Sequence, residues 1–448
     1  MDHAPAFRFR RFLNWFPLGL TYAAMYMGRY NFNVVKNDIG AWYHLDKADM
    51  GLIASAGFWT YGLSVALNGP LADRIGGRKA ILLGSAGAAL LNLLIGMMFL
   101  NGMTTKLIVS MSLLWSLNMY VQSFGELSVV KVNSTWFHVR ERGVFGGIFG
   151  IMISSGYFFA TTVGAWLLAR FASWTVIWFV PAAAIAVMCA VDALLVRNRP
   201  SHAGHPDFDT GDGSGAAHAD ETPLPLRELV RKVFHNPVIV ALIFAEFCTG
   251  FVRQGVMLYF TEYLDEVYHL SKKTQLFWWT GVAFMLGGIL GGLLCGWMSD
   301  KLFGSRRPPV AFVFYLVQAV MLALLGFSFG RGTFGGQLWA IALLGLTAMF
   351  IFGVHGMLSG TASMDFGGRK AAATVAGALD GIQYIGSGLT GFGLGWILKT
   401  YGWDGTPLVH GYQPQNAWVW VGCIIPFSFI GAFIMTRIWH AKAGSHSH

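Results

Sequence analysis

The chain has 448 residues, of which 55% are hydrophobic, 15% aromatic and 12% charged, with a formal net charge of +9. Soluble domains carry about 25% charged residues, so this chain has too few to coat a water-exposed globule and is too apolar for disorder. Its 57 glycines follow no collagen repeat, and glycine is a residue with which membrane helices approach one another.

The N-terminal run MDHAPAFRFRRFLNWF is basic and leads into an apolar stretch without a small-residue cleavage site. A retained first helix is expected there, not a signal peptide. About 20 apolar residues cross the hydrocarbon core. Twelve stretches qualify, the first six being 14–37, 50–71, 79–101, 106–134, 144–169 and 173–196. The last six are 237–262, 275–298, 309–330, 337–363, 371–398 and 415–437. A helix satisfies its own backbone hydrogen bonds in lipid. The expected fold is therefore an all-α polytopic membrane protein of twelve transmembrane helices. The polar stretch PSHAGHPDFDTGDGSG and the amphipathic run PLRELVRKVF separate the two sets. They divide the chain into an N-terminal six-helix bundle (1–197), a cytoplasmic linker (198–235) and a C-terminal six-helix bundle (236–448).

Alternate loops differ in cation content. Of the 31 Lys and Arg, 20 fall on one side, among them Arg8, Arg10, Arg11, Arg74, Arg78, Arg142 and Arg369, and 7 on the other, among them Lys47, Lys272 and Lys399. The positive-inside rule makes the first side cytoplasmic and puts both termini inside, as in a bacterial inner membrane. The same asymmetry accounts for the basic balance, so no nucleic-acid partner is needed. The remaining four cations, Arg29, Lys36, Lys131 and Arg253, lie within spans. The cysteines Cys189, Cys248, Cys295 and Cys423 each sit in an apolar run with no ligand spacing, so packing is their expected role. No metal and no cofactor are expected.

The two halves repeat. GPLADRIGGRK (69–79) matches GWMSDKLFGSRR (296–307), and Asp73 and Asp300 are 227 residues apart. Arg142 and Arg369 show the same 227-residue offset, and Arg29 and Arg253 an offset of 224. Duplicated six-helix units place a substrate site near the midplane between them. Asp73, Arg74, Arg78, Asp300, Arg142 and Arg369 form a candidate gating network at one end of the helices, able to break and remake as the halves rock.

The GPLADRIGGRK motif and its repeat resemble those of the major facilitator superfamily over the whole chain. A narrower resemblance is to the organophosphate:phosphate antiporter family. It is carried by YMGRYNF (26–32), STWFHVRERG (134–143), FVRQGVMLYFTEYL (251–264), LLCGWMSDKLFGSRRPP (293–309) and GGRKAAATVAGALDGIQYIGSG (367–388). In that family two arginines, one from each half, hold the substrate phosphate. The matching positions are Arg29 and Arg253. The physics agrees: an intramembrane cation is a functional candidate, and guanidinium forks fit phosphate oxygens in a bidentate way. Tyr22, Tyr26, Arg29 and Asn33 share one helical stripe, which Lys36 extends.

The chain departs from the family's pattern at several places. Tyr30 replaces a second cation after Arg29, Val65 stands where some relatives have lysine, and FGIMISSGYFF has no histidine. GELSVVK (125–131) replaces a W-P-P signature, with Lys131 near the family's basic position. Three acids, Glu126, Glu246 and Asp380, lie in spans, and Asp380, Gln383, Tyr384 and Ser387 make a polar stripe. Buried charges are expected to be paired. Against Arg29, Lys36, Lys131 and Arg253 the acids leave about one net positive charge. His355 reads as helix packing.

The expected substrate-binding set is Arg29, Arg253, Tyr26, Tyr22, Asn33, Lys131, Glu126, Asp380, Tyr384 and Gln383. The leading expectation is a monomeric secondary transporter in a lipid bilayer. It exchanges a small organic anion, a phosphate ester, for inorganic phosphate by alternating access. The alternatives are a proton-coupled symporter of an organic anion or zwitterion and a non-transporting sugar-phosphate sensor. No phosphate-binding G-x-x-x-x-G-K-[ST] loop and no nucleophile–base pair stand out, so neither an ATP-driven pump nor an enzyme is expected.

Overall fold

The computed structural model describes residues 4–441 except 104, 139–140, 142–150, 153, 172, 210–233, 305 and 408–412, and leaves out the side chains of 70, 73 and 360–374. Among the described residues all regular structure is helical. Helices α1 (Pro5–Tyr43), α2 (Lys47–Ile75), α3 (Gly77–Leu100), α4 (Leu107–Gln122), α5 (Phe124–Trp136), α6 (Gly164–Arg170) and α7 (Val176–Leu195) form the first group. Helices α8 (Pro237–Glu262), α9 (Gln275–Lys301), α10 (Arg307–Phe327), α11 (Phe334–His355), α12 (Ser363–Tyr401) and α13 (Trp418–Arg437) form the second.

Nine helical segments among the described residues are long and apolar enough to span a membrane. Two more helices, α1 and α12, are each 39 residues long, about 58 Å at 1.5 Å per residue. Their extra turns are the charged ends that periodicity alone trims away. Pro5 opens α1, where its missing N–H is no loss. His44, in the left-handed region at φ 55°, ends it with its N–H on the Gly40 carbonyl. The expected span 106–134 is one membrane segment broken at Ser123 into α4 and α5. Ser123 Oγ donates to the Tyr120 carbonyl (2.7 Å) and accepts from Asn68 Nδ2 (2.7 Å), which fixes the break. Of the expected span 144–169, the described part is helical, with a π-turn at Phe159–Val163 leading into α6.

In the first group α3 packs on α7, α1 on α7 and α2 on α4. In the second α8 packs on α12 and α13, α9 on α11 and α10 on α13. The principal seam between the groups runs along α2 and α12. It is close because it is lined with small residues. A Cβ on Gly51 would lie 2.1 Å from the Gly391 carbonyl oxygen, so only glycine fits. Ser55 Oγ donates to the Gly388 carbonyl (2.5 Å), and Trp59 Nε1 donates to that of Ile385 (3.2 Å). Large apolar side chains such as Leu63, Leu67, Leu90, Val109 and Leu293 are exposed, as a lipid-facing surface requires.

At the end of the bundle where α1 meets α2, four ion pairs join the groups among the described residues. They are Lys36–Glu262, Lys47–Glu266, Lys272–Asp38 and Lys399–Asp46. Asp46 also caps α2, accepting from the Ala48 and Asp49 amides at 2.8 and 3.0 Å. Burial pushes its carboxyl up, but the Lys399 ammonium and the two amides outweigh this and hold it below the ordinary carboxylate value.

Candidate functional site

The break at Ser123 shapes the centre of the bundle. It leaves the Gln122 carbonyl beside the α1 stripe, where Arg29 Nη2 donates to it (3.4 Å). Arg29 Nε donates to Gln122 Oε1 (3.0 Å) and Nη1 to Tyr384 Oη on α12 (3.3 Å). The guanidinium carbon lies 4.7 Å from the Tyr26 ring centre and 4.5 Å from that of Tyr61, with Tyr22 at 5.8 Å. Each ring face attracts a cation.

Behind Gln122 runs a buried amide relay. Gln122 Nε2 and Asn92 Nδ2 both donate to Asn118 Oδ1 (3.2 Å each), and Asn118 Nδ2 donates to the Gly28 carbonyl (3.1 Å). Asn31 Nδ2 completes it at Asn92 Oδ1 (2.9 Å). A satisfied polar network of this kind fixes the geometry of the group at its end.

Arg253 approaches from α8. Its guanidinium carbon stands 5.1 Å over the Tyr384 ring, so Tyr384 touches both arginines. Tyr30, Tyr157 and Tyr26 complete its surroundings, and Tyr157 donates to the Tyr30 hydroxyl (2.9 Å). Arg29 and Arg253 are 1% and 2% exposed. Among the described residues Arg253 Nε and Nη2 donate to no acceptor.

The acids gather beside the arginines. Glu126 and Asp380 come from opposite groups of helices and neighbour one another beside Arg29 and Arg253, and among the described residues Asp380 Oδ2 meets no donor. Glu246 is wholly buried, and among the described residues neither of its oxygens accepts a full hydrogen bond. Beside it stand the Ser359 amide and His355 Nδ1, the latter at 3.5 Å. That ring nitrogen lies closer to Gln383 Nε2 (3.1 Å). A Cβ on Gly250 would lie 1.9 Å from the Gln383 carbonyl oxygen, so glycine there lets α8 and α12 meet at the site.

The structure thus brings together Arg29, Arg253, Tyr22, Tyr26, Glu126, Asp380, Gln383 and Tyr384 from the expected set. Two members stand elsewhere. Lys131 has an exposed side chain on α5, nine residues past Gln122 and about 13 Å further along the helix axis. Asn33 spends its side chain on the Met257 carbonyl of α8 (3.0 Å). Lys36 is paired with Glu262 (3.2 Å). The expected surplus of one positive charge therefore reverses: the centre holds two cations against three acids. His355 is a polar neighbour of Gln383 and Glu246, not a residue of an apolar packing face.

Of the candidate gating residues, Asp300 pairs with Arg307 (3.3 Å). Arg78 donates to the Ala193 carbonyl (2.5 Å), and Arg74 is exposed. Arg142 and the side chains of Asp73 and Arg369 lie outside the described residues. Gln122 stands four residues before Glu126, a spacing that puts the two on one helix face but gives no sign of Arg29. Tyr61 could have been found from the polar stripe Tyr61, Ser64, Asn68 on α2, but Tyr157 carries no signal beyond its residue type.

The family model described as Major Facilitator Superfamily matches residues 18–391. A glycerol-3-phosphate transporter of Bacillus subtilis is 28% identical over 366 residues, covering 80% of each chain. The membrane sensor protein UhpC of Salmonella typhimurium is 28% identical over 391 residues, covering 86% of this chain and 85% of that one. The crystal structure of a bacterial homologue of the human lysosomal transporter Spinster, inward-facing and occupied, superposes with a TM-score of 0.68. It is 16% identical and covers 94% of this chain and 95% of that one, a likeness of fold.

Proposed function

The chain belongs to the major facilitator superfamily, and we propose that it exchanges a small phosphate-bearing organic anion for inorganic phosphate across the membrane. The observation that carries this reading is the pair of buried arginines, one from each group of helices, touched by a single tyrosine. Such a pair suits an anion with several oxygens. The sequence resemblance and the glycerol-3-phosphate transporter among its relatives support phosphate as the group it reads. Binding at an interface between two half-repeats couples occupancy to rocking, because an anion between two cations draws the halves together. Tyr26 and Tyr384 act as hydroxyl donors beside the phosphate, with Tyr22, Gln383, Glu126 and Asp380 lining the remainder.

In this proposal the protein works as a monomer in a bacterial inner membrane with both termini in the cytoplasm. Asp73, Arg74, Arg78 and Arg142, with Asp300 and Arg369 of the repeat, form the gate at the cytoplasmic ends. Transport involves no covalent chemistry.

The test uses the purified full chain in vesicles loaded with inorganic phosphate. Uptake of labelled phosphate that requires phosphate or a phosphate ester on the opposite side, and persists with a protonophore, supports exchange. Uptake that collapses with the protonophore overturns exchange in favour of proton symport. Ligand-dependent thermal stabilisation without uptake overturns it in favour of a sensor.

A further inference from the structure

Glu246 and Arg253 lie on the same helix, seven residues apart, both buried and, among the described residues, both with polar side-chain atoms that lack a hydrogen-bond partner. Seven residues are two turns, so the side chains share a face with about 10 Å of rise between them, too far for a direct pair. Burying opposite charges this way is expensive unless something spans the gap. The surroundings give the gap a direction. At the Arg253 end stand Arg29 and Tyr384. At the Glu246 end stand His355 Nδ1, at 3.5 Å, and the Ser359 amide, neither of which gives its oxygens a full hydrogen bond, while Asp380 neighbours both ends. Among the described residues, unused donors therefore remain at one end and unused acceptors at the other.

The two cations Arg29 and Arg253 share the centre with three acids, Glu126, Asp380 and Glu246. An anion alone answers the cations and leaves the acids without a partner, whereas a ligand bearing both signs answers both sets. We propose that the substrate is zwitterionic: a phosphate or phosphonate held by Arg29 and Arg253, with an ammonium group a few bonds away held by Glu246 and Asp380. This rests on the phosphate-reading role given to the arginines above and narrows the substrate to amino-bearing esters or phosphonates.

The test measures thermal stabilisation of the purified full chain by inorganic phosphate, hydroxyethyl phosphate, aminoethyl phosphate and aminoethyl phosphonate. The charge-assisted hydrogen bonds that an ammonium adds are expected to make the amino compounds effective at concentrations at least about tenfold below the hydroxyl ester. The ratio between amino and hydroxyl compounds should fall toward one in Glu246→Gln, and both responses should vanish in Arg253→Ala. Should Glu246→Gln not fold, the ratio is read in Asp380→Asn, where it should fall as well. A hydroxyl ester that binds as well as its amino counterpart overturns the zwitterion, as does a ratio unchanged by these variants. Hydroxyl-ester uptake accompanied by proton entry also overturns it, since the proton then supplies the missing positive charge. Failure of phosphate and of all three organic compounds to stabilise the protein overturns the phosphate reading itself. The two aminoethyl arms separate an ester from a phosphonate.

Discussion

Arg29 and Arg253 occupy corresponding places in the two halves, yet their surroundings differ. Arg29 is held at three nitrogens by Gln122 and Tyr384, with a relay of buried amides behind it. Arg253 has an aromatic floor and, among the described residues, two nitrogens without acceptors. These surroundings make one a fixed anchor and the other an open arm. A fixed anchor sets where an anion lands. An open arm gains most when it arrives.

The largest effect should come from the arm. Arg253→Ala removes a fork whose Nε and Nη2 donate to no acceptor among the described residues, and ligand affinity should fall about a hundredfold or more. Uptake near the wild-type level would break the comparison. Lys36→Met tests a held cation further along the Arg29 stripe. It leaves Glu262 buried without its partner, a loss of about 3–5 kcal/mol in stability, measured by melting. The double variant Lys36→Met/Glu262→Leu should recover most of it, and failure to recover would show that Lys36 does more than pair.

Gln122→Leu frees the anchor without removing it. Affinity should drop about tenfold, and the unliganded protein should lose about 1–3 kcal/mol in stability, because Arg29 Nε is left without its acceptor. An unchanged affinity would mean that the relay does not position Arg29. The smallest effect belongs to the rim. Asp46→Ala removes the cap of α2 and should cost about 1 kcal/mol. Because the folded carboxyl lies below its ordinary value, its contribution is complete above that value and is lost as pH falls through the folded one. The wild-type and Asp46→Ala melting curves should therefore converge in acid.

The helical class was legible because apolar runs of membrane length read the same from composition as from the structure. The two arginines were legible because a charge inside an apolar run stands out. Helix ends were less so: α1 and α12 continue through charged turns that interrupt the apolar signal. Lys131 misled, since sequence position gives depth along a helix only to within a few turns, and its side chain is exposed. The partners of Lys36 and Arg29 lie 226 and 93 residues away. Nothing local announces an interaction made across that much chain. The amide relay of Asn31, Asn92, Asn118 and Gln122 is spread over three helices, and each member alone resembles an ordinary polar residue in a span.

The ion pairs where α1 meets α2 have a consequence for rate. Of the four, Lys36–Glu262 is sealed, while Lys47–Glu266, Lys272–Asp38 and Lys399–Asp46 are open to water in varying degree. Dissolved ions screen exposed pairs and leave a sealed one almost untouched. Opening this mouth therefore has a salt-sensitive part and a salt-insensitive part. The ionic strength of the compartment it faces acts as a throttle on the outer clasps, and the buried pair sets a floor beneath which that throttle has no grip.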